Sequence, residues 1–125
     1  MKKPTVSSLK KKCDKYFSEY IRQRDNGVCI TCGTTKPWKE MQAGHYWSRS
    51  YNSTRFDPEN VYCQCVGCNV FKSGNKEVYS LRLIEKGGVA LLDDLSRRRL
   101  RIKQFNVVEL QGMIESIKQK TKELK

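Results

Sequence analysis

Two short cysteine pairs constrain this chain more than any other feature: Cys29-Ile30-Thr31-Cys32 and Cys65-Val66-Gly67-Cys68. Tetrahedral zinc takes four ligands, and loops of this spacing deliver them as two claws. The 32 residues between Cys32 and Cys65 then form a loop closed by the metal. Four thiolates leave no open coordination position, so this Zn2+ is expected to be structural. The span from Cys29 to Lys72 is 44 residues, too few for a self-sufficient apolar core, and a metal supplies the missing stability. Cys63 and Cys13 fall outside the claw spacing and read as small buried residues.

Around this stretch the pattern predicts an α+β fold: a small zinc-stapled core flanked by an N-terminal helix and C-terminal helices. Residues 1–8 are expected to be a disordered basic tail. From Leu9, apolar Cys13, Tyr16, Phe17, Tyr20 and Ile21 recur at threes and fours, an amphipathic helix ending near Arg24. Its other face carries Lys10, Lys11, Lys12, Lys15 and Arg22, a solvated face or a phosphate-gripping one. Asp25-Asn26-Gly27 signals a turn into Cys29, and Cys32-Gly33-Thr34 a zinc knuckle. Strands are expected over 40–47 and 59–63, joined by a polar loop, with a short helix after Cys68. A further helix over 75–86 should stop at Gly87-Gly88 and be followed by a short one over 89–96. Asn106 and Glu109 form a capping-box pattern opening a last helix over 106–125. Its stripe of Val107, Leu110, Ile114, Ile117, Thr121 and Leu124 would pack on residues 9–105 or form the seam of a homodimer.

Charge narrows the partners. The chain carries 25 Lys/Arg and 13 Asp/Glu, net +12. Residues 1–24 hold eight basic and two acidic residues, 25–75 five and four, and 76–125 twelve and seven. A nearly neutral centre between basic flanks suits a polyanion gripped away from the chemistry, so the expected partner is DNA. The run Arg97-Arg98-Arg99-Leu100-Arg101-Ile102-Lys103 is the main nonspecific DNA-binding candidate outside the centre. No apolar run at the N-terminus resembles a signal peptide and none reaches transmembrane length, so no membrane partner is expected. Paired Cys-x-x-Cys in a reducing compartment reads as metal ligation, and the expected location is cytoplasmic.

The chemistry centres on the only histidine, His45. An imidazole titrating near 6.5 can take a proton from water at neutral pH. Attack on a phosphodiester also needs charge neutralised on its oxygens, which a divalent cation does well. Mg2+ or Mn2+ favours oxygen ligands, and the Asn69 side-chain carbonyl is one, near the start of a helix whose dipole favours phosphate. Arg49 and Arg55 are read as phosphate-gripping forks or as loop-stabilising partners of Glu59 or Asp57. Tyr46, Trp47 and Tyr51 either stack on unpaired bases or fill a small core.

Taken together, Cys-x-x-Cys, a strand histidine, Asn60 and Cys-x-x-Cys-Asn-x-x-Lys resemble the HNH (His-Me finger, ββα-metal) endonuclease superfamily. More closely, Phe17-Ser18-Glu19-Tyr20-Ile21-Arg22, Met41-Gln42-Ala43-Gly44-His45, Thr54-Arg55-Phe56-Asp57 and Cys68-Asn69 through Gly74-Asn75 are similar to the NinG/Rap family of lambda-like phage recombination proteins. The likeness covers residues 9–125 and is most specific over 29–75. It implies endonuclease action on branched intermediates, D-loops and Holliday junctions. On this pattern His45 matches the general base, Asn60 the residue orienting the histidine loop, Asn69 the metal ligand and Lys72 a phosphate contact. Many HNH enzymes place Asp or His directly before the base, and here that residue is Gly44. Asp57 is the first candidate for the missing ligand, with capping before Pro58 as the alternative.

The expected function is therefore a metal-dependent, structure-selective DNA endonuclease. Two other readings remain at this level: a zinc-ribbon module that holds junction DNA without cutting, and an HNH nicking enzyme acting on ordinary duplex.

Overall fold

The computed structural model describes residues 3–124. Helix α1 runs from Val6 to Arg24, starting earlier than the periodicity predicts. The reason is a reciprocal cap: Ser8 N donates to Thr5 Oγ1 and Thr5 N donates to Ser8 Oγ, both at 3.1 Å. Residues 6–8 are thus helical rather than part of a disordered tail, and Met1 and Lys2 lie outside the described residues. After the first cysteine pair, a 3-10 turn at Trp38–Glu40 precedes strand β1, Gln42–His45. A short helix α2, Asn52–Arg55, interrupts the expected polar loop, and strand β2 is Val61–Gln64. A five-residue π-helical turn, Gly67–Phe71, carries Cys68 of the second claw. Helix α3 spans Lys76–Arg99 and α4 spans Val107–Lys122. The Gly87-Gly88 stop appears as a kink within α3: Gly88 takes φ 72°, ψ −179°, a left-handed conformation open to glycine.

The two strands pair antiparallel, with Gln42 opposite Gln64 and His45 opposite Val61. Side chains alternate between the faces of this small sheet. Ala43 and Val61 pack into an apolar core with Leu9, Phe17 and Ile21 of α1 and Leu110, Ile114 and Ile117 of α4. Tyr62 belongs to the opposite cluster with Tyr46, Trp47 and the α3 residues Tyr79, Leu83 and Leu95. The α4 stripe packs against α1 through Leu110, Ile114 and Ile117, the first of the two placements expected for it. Tyr46 and Trp47 take the core alternative, and the Arg99 guanidinium lies 4.1 Å from the centre of the Trp47 ring. No helix among the described residues is long and apolar enough to cross a membrane.

Candidate metal centre and cleft

The four claw thiols lie within 4.8 Å of one another, and Cys32 Sγ is 3.6 Å from Cys65 Sγ. Zinc–sulfur bonds of about 2.3 Å set tetrahedral S–S edges of about 3.8 Å, so the cluster fits zinc. Local structure favours thiolates here. Burial raises Cys29, but the Thr31 hydroxyl and the Cys32, Cys65 and Thr31 amides outweigh it and bring it down to about 6. The Thr34 hydroxyl, 3.2 Å from Cys32 Sγ, lowers Cys32. Burial instead holds Cys65 up at about 11, a cost that a bound cation removes. Cys13 and Cys63 are buried outside the cluster, and burial pushes both thiols up to about 12.

The staple brings β1 and the π-helical turn together, and an open cleft of about 460 Å³ forms where they meet α1. His45, Asn69, Gln42, Arg49, Ser18 and Asp14 are among its lining residues. His45 Nε2 lies 2.9 Å from the Arg55 carbonyl. A carbonyl can only accept, so Nε2 holds the proton and Nδ1 is the basic nitrogen. Burial pushes this imidazole down to about 4, helped by the Arg49 and Arg55 charges and opposed by the Arg55 carbonyl and Asp14. The expectation of a group titrating near 6.5 is therefore corrected: His45 is neutral at pH 7 and a weak base in the free protein.

Asn60 is fully buried and clamps the chain that leaves the histidine. It accepts from Trp47 N through Oδ1 at 2.9 Å and donates through Nδ2 to Trp47 O at 3.0 Å and Thr54 O at 3.1 Å. Its own carbonyl takes the Tyr46 amide at 2.8 Å. Asn69 Nδ2 donates to Gln42 Oε1 at 2.7 Å, so the ligand candidate is paired to a neighbouring amide.

Asp57 does not join this group. Its carboxylate accepts from Glu59 N at 2.9 Å and from Arg98 Nη1 at 2.9 Å, which is the capping alternative. The carboxylate in the cleft is Asp14 of α1, which grips Arg55 through Nε at 3.0 Å and Nη2 at 2.5 Å. Arg55 and, at 3.5 Å, Arg49 thus pair with Asp14 and not with Glu59 or Asp57. Because the Arg55 carbonyl sets the His45 tautomer, Asp14 holds that carbonyl in place from α1. The only hint of Asp14 in sequence is an acid amid the lysines of the basic face.

Glycine before the histidine also has a structural reason. A Cβ on Gly44 would lie 1.9 Å from Gln64 Oε1. Gln64 is fully buried beneath Gly44, donating to Thr31 Oγ1 at 3.2 Å and Gly74 O at 2.9 Å, and so ties the first claw to the turn after the second. No side-chain ligand can stand at position 44 while Gln64 fills that space.

The basic run divides. Arg98 is neutralised by Asp57, Glu59 and Asp94, and Arg99 covers Trp47, so both brace the fold rather than offering free charge to DNA. Arg97 is exposed but paired with Asp93 at 3.1 Å. Arg101 and Lys72 are exposed and make no ion pair among the described residues.

These features define a small basic α+β protein with four cysteines placed to hold a metal such as zinc, beside a polar cleft. The sequence matches the family described as "Bacteriophage Lambda NinG protein" over residues 2–125. It is 34% identical over 117 residues to "Protein ninG" of Salmonella phage P22, 33% to that of Escherichia phage 933W and 32% to that of Escherichia phage lambda. Each alignment covers 92% of this chain, whereas the chain spans 57% of the first two relatives and 56% of the third. The chain belongs to the NinG family. No solved structure matches it.

Proposed function

We propose that this chain is the nuclease unit of a metal-dependent endonuclease of the HNH type, acting on branched DNA. The observation that carries this reading is that His45 and Asn69 line one cleft, held by a four-thiol staple and the Asn60 clamp. A strand, a returning strand and a helical turn bearing these side chains have the order of a ββα-metal core.

The cleft's oxygen donors, the amides of Asn69 and Gln42 and the Asp14 carboxylate, suit a hard cation such as Mg2+ or Mn2+. They are few and already paired, so substrate phosphate and water complete such a site. The cation, when held by Asn69 and Asp14, supplies neutralisation of charge on the phosphate oxygens. His45 Nδ1 accepts a proton from water as the water oxygen bonds to phosphorus. The bond to the 3′ oxygen breaks and that oxygen takes a proton from solvent water, leaving 5′-phosphate and 3′-hydroxyl ends. Arg49, exposed at the cleft edge, grips a flanking phosphate, and Lys72 the next.

The test is a labelled four-way junction and its matched duplex, incubated with wild type and His45→Ala in Mg2+ or chelator. Cutting by wild type in Mg2+ alone, lost in His45→Ala with zinc content and DNA binding retained, is expected. Undiminished cutting by His45→Ala removes the role given to His45. Binding without cutting by wild type favours the non-catalytic module, a reading supported by the Asn69–Gln42 pair.

A further inference from the structure

One aromatic side chain stands out into solvent. Phe71, at the end of the π-helical turn that carries Asn69, is 82% exposed. Phe56 packs against both Phe17 and Phe105, and among the described residues no other aromatic is as exposed as Phe71. The ring is presented on rigid backbone. Lys72 N donates to Gly67 O at 3.0 Å, Ser73 N to Val70 O at 3.2 Å and Gly74 N to Cys68 O at 2.9 Å, tying residues 70–74 back to the second claw and its turn.

Its surroundings select an occupant. From Val61 to Lys76 the chain has no acidic residue, and the exposed Lys72 adjoins Phe71 in sequence, while Lys76 is spent on the His45 and Tyr46 carbonyls. Protein partners are held by broad apolar patches; here only Val66 and Val70 join the ring as exposed apolar neighbours in the stretch, and with Lys72 next to it and no acid from 61 to 76 this small surface matches a base with its phosphate. Phe71 lies two positions after Asn69, a backbone distance of at most about 7 Å, or roughly two stacked nucleotides of one strand. In intact duplex every base face is covered by its neighbours. At a branch or nick some are not.

We propose that Phe71 is a base-stacking, specificity-determining residue: its ring packs on an unpaired base within about two nucleotides of the phosphate in the cleft. Lys72 holds the adjoining phosphate. The preference for branched over continuous duplex DNA thereby resides in an aromatic face on the turn that also carries Asn69. The inference rests on the nuclease reading for its position relative to the cleft, and stacking itself can be measured without cleavage.

The experiment uses the full zinc-loaded chain with His45→Ala as the non-cutting background, adding Phe71→Ala, Phe71→Leu or Phe71→Tyr. Affinities for a four-way junction and a matched duplex are compared, together with emission from a fluorescent purine analogue at an unpaired position by the branch. Phe71→Ala and Phe71→Leu are expected to lose about ten- to hundredfold of junction affinity, with duplex affinity changed less than about twofold, and to lose quenching of the analogue. Phe71→Tyr retains both. An unchanged junction-to-duplex ratio in Phe71→Ala overturns the proposal even if wild type cuts. Altered sedimentation of Phe71→Ala with unaltered DNA binding also overturns it, placing the ring at a protein interface. Stacking without any cutting by wild type upholds Phe71 and sinks the nuclease reading instead.

Discussion

Placing alanine at position 44 should damage this protein more than its size implies. The new methyl would sit 1.9 Å from Gln64 Oε1, 2.5 Å from Cδ and 2.8 Å from Cγ. Gln64 must then leave a fully buried pocket and give up its bonds to Thr31 and Gly74. Two buried side-chain hydrogen bonds are worth about 1 kcal/mol each, and overpacking adds about 1–3 kcal/mol. Gln64 Oε1 has no partner where it lies, so moving it to water returns about 1 kcal/mol. The net cost is about 2–4 kcal/mol, or a fall in melting temperature on the order of 10 °C for a chain of this length. The assay is urea denaturation of the zinc-loaded protein for wild type, Gly44→Ala, Gln64→Ala and the double variant. In the Gln64→Ala background the methyl meets no clash, so the second substitution should cost less than about 0.5 kcal/mol and the coupling should approach the full effect. Equal cost in both backgrounds would refute the contact with Gln64 as the reason for glycine at this position.

The remaining predictions concern the metal, the histidine and the basic run. Native mass spectrometry should find one zinc per chain in wild type and Cys63→Ala but none in Cys65→Ala; zinc retained by Cys65→Ala would contradict the ligand set. The folded state holds His45 at about 4, below its ordinary value, so the unfolded chain binds the extra proton first. Stability contributed by the neutral ring is therefore complete above about pH 6.5 and lost as pH falls towards 4. The difference between wild type and His45→Gln in urea titrations should shrink in wild type's disfavour over that window, and a difference independent of pH would remove the buried-imidazole account. Arg98→Ala, which strands Asp57 and its neighbours, should lower stability by roughly 1–3 kcal/mol without changing the salt dependence of DNA binding. Lys72→Ala should leave stability unchanged and reduce the slope of log affinity against log salt by about 1; the opposite pattern in the pair would reverse their assignments.

Much of the architecture is legible from spacing alone. The claws at 29–32 and 65–68 close into one cluster, the stripes of α1 and α4 are buried where threes and fours place them, and Gly87-Gly88 breaks a helix. Such signals are local and periodic, so a chain carries them before it folds. The strand ends moved, to 42–45 and 61–64, because turns at Trp38–Glu40 and around Asp57 to Asn60 satisfied backbone groups a strand would otherwise pair.

The identity of charge partners was decided only in three dimensions. Asp14 meets Arg55 and Asp57 meets Arg98, each across 41 residues, because packing α1 and α3 on the sheet brings those groups within reach. Any of several acids could have satisfied either arginine on composition alone. The same packing leads Asp14 into the cleft and Asp57 out of it, slides Gln64 beneath Gly44 and seals α4 against α1. Ligand types and helical faces are properties of short stretches of chain, whereas the company a side chain keeps is set by whichever elements the core draws together.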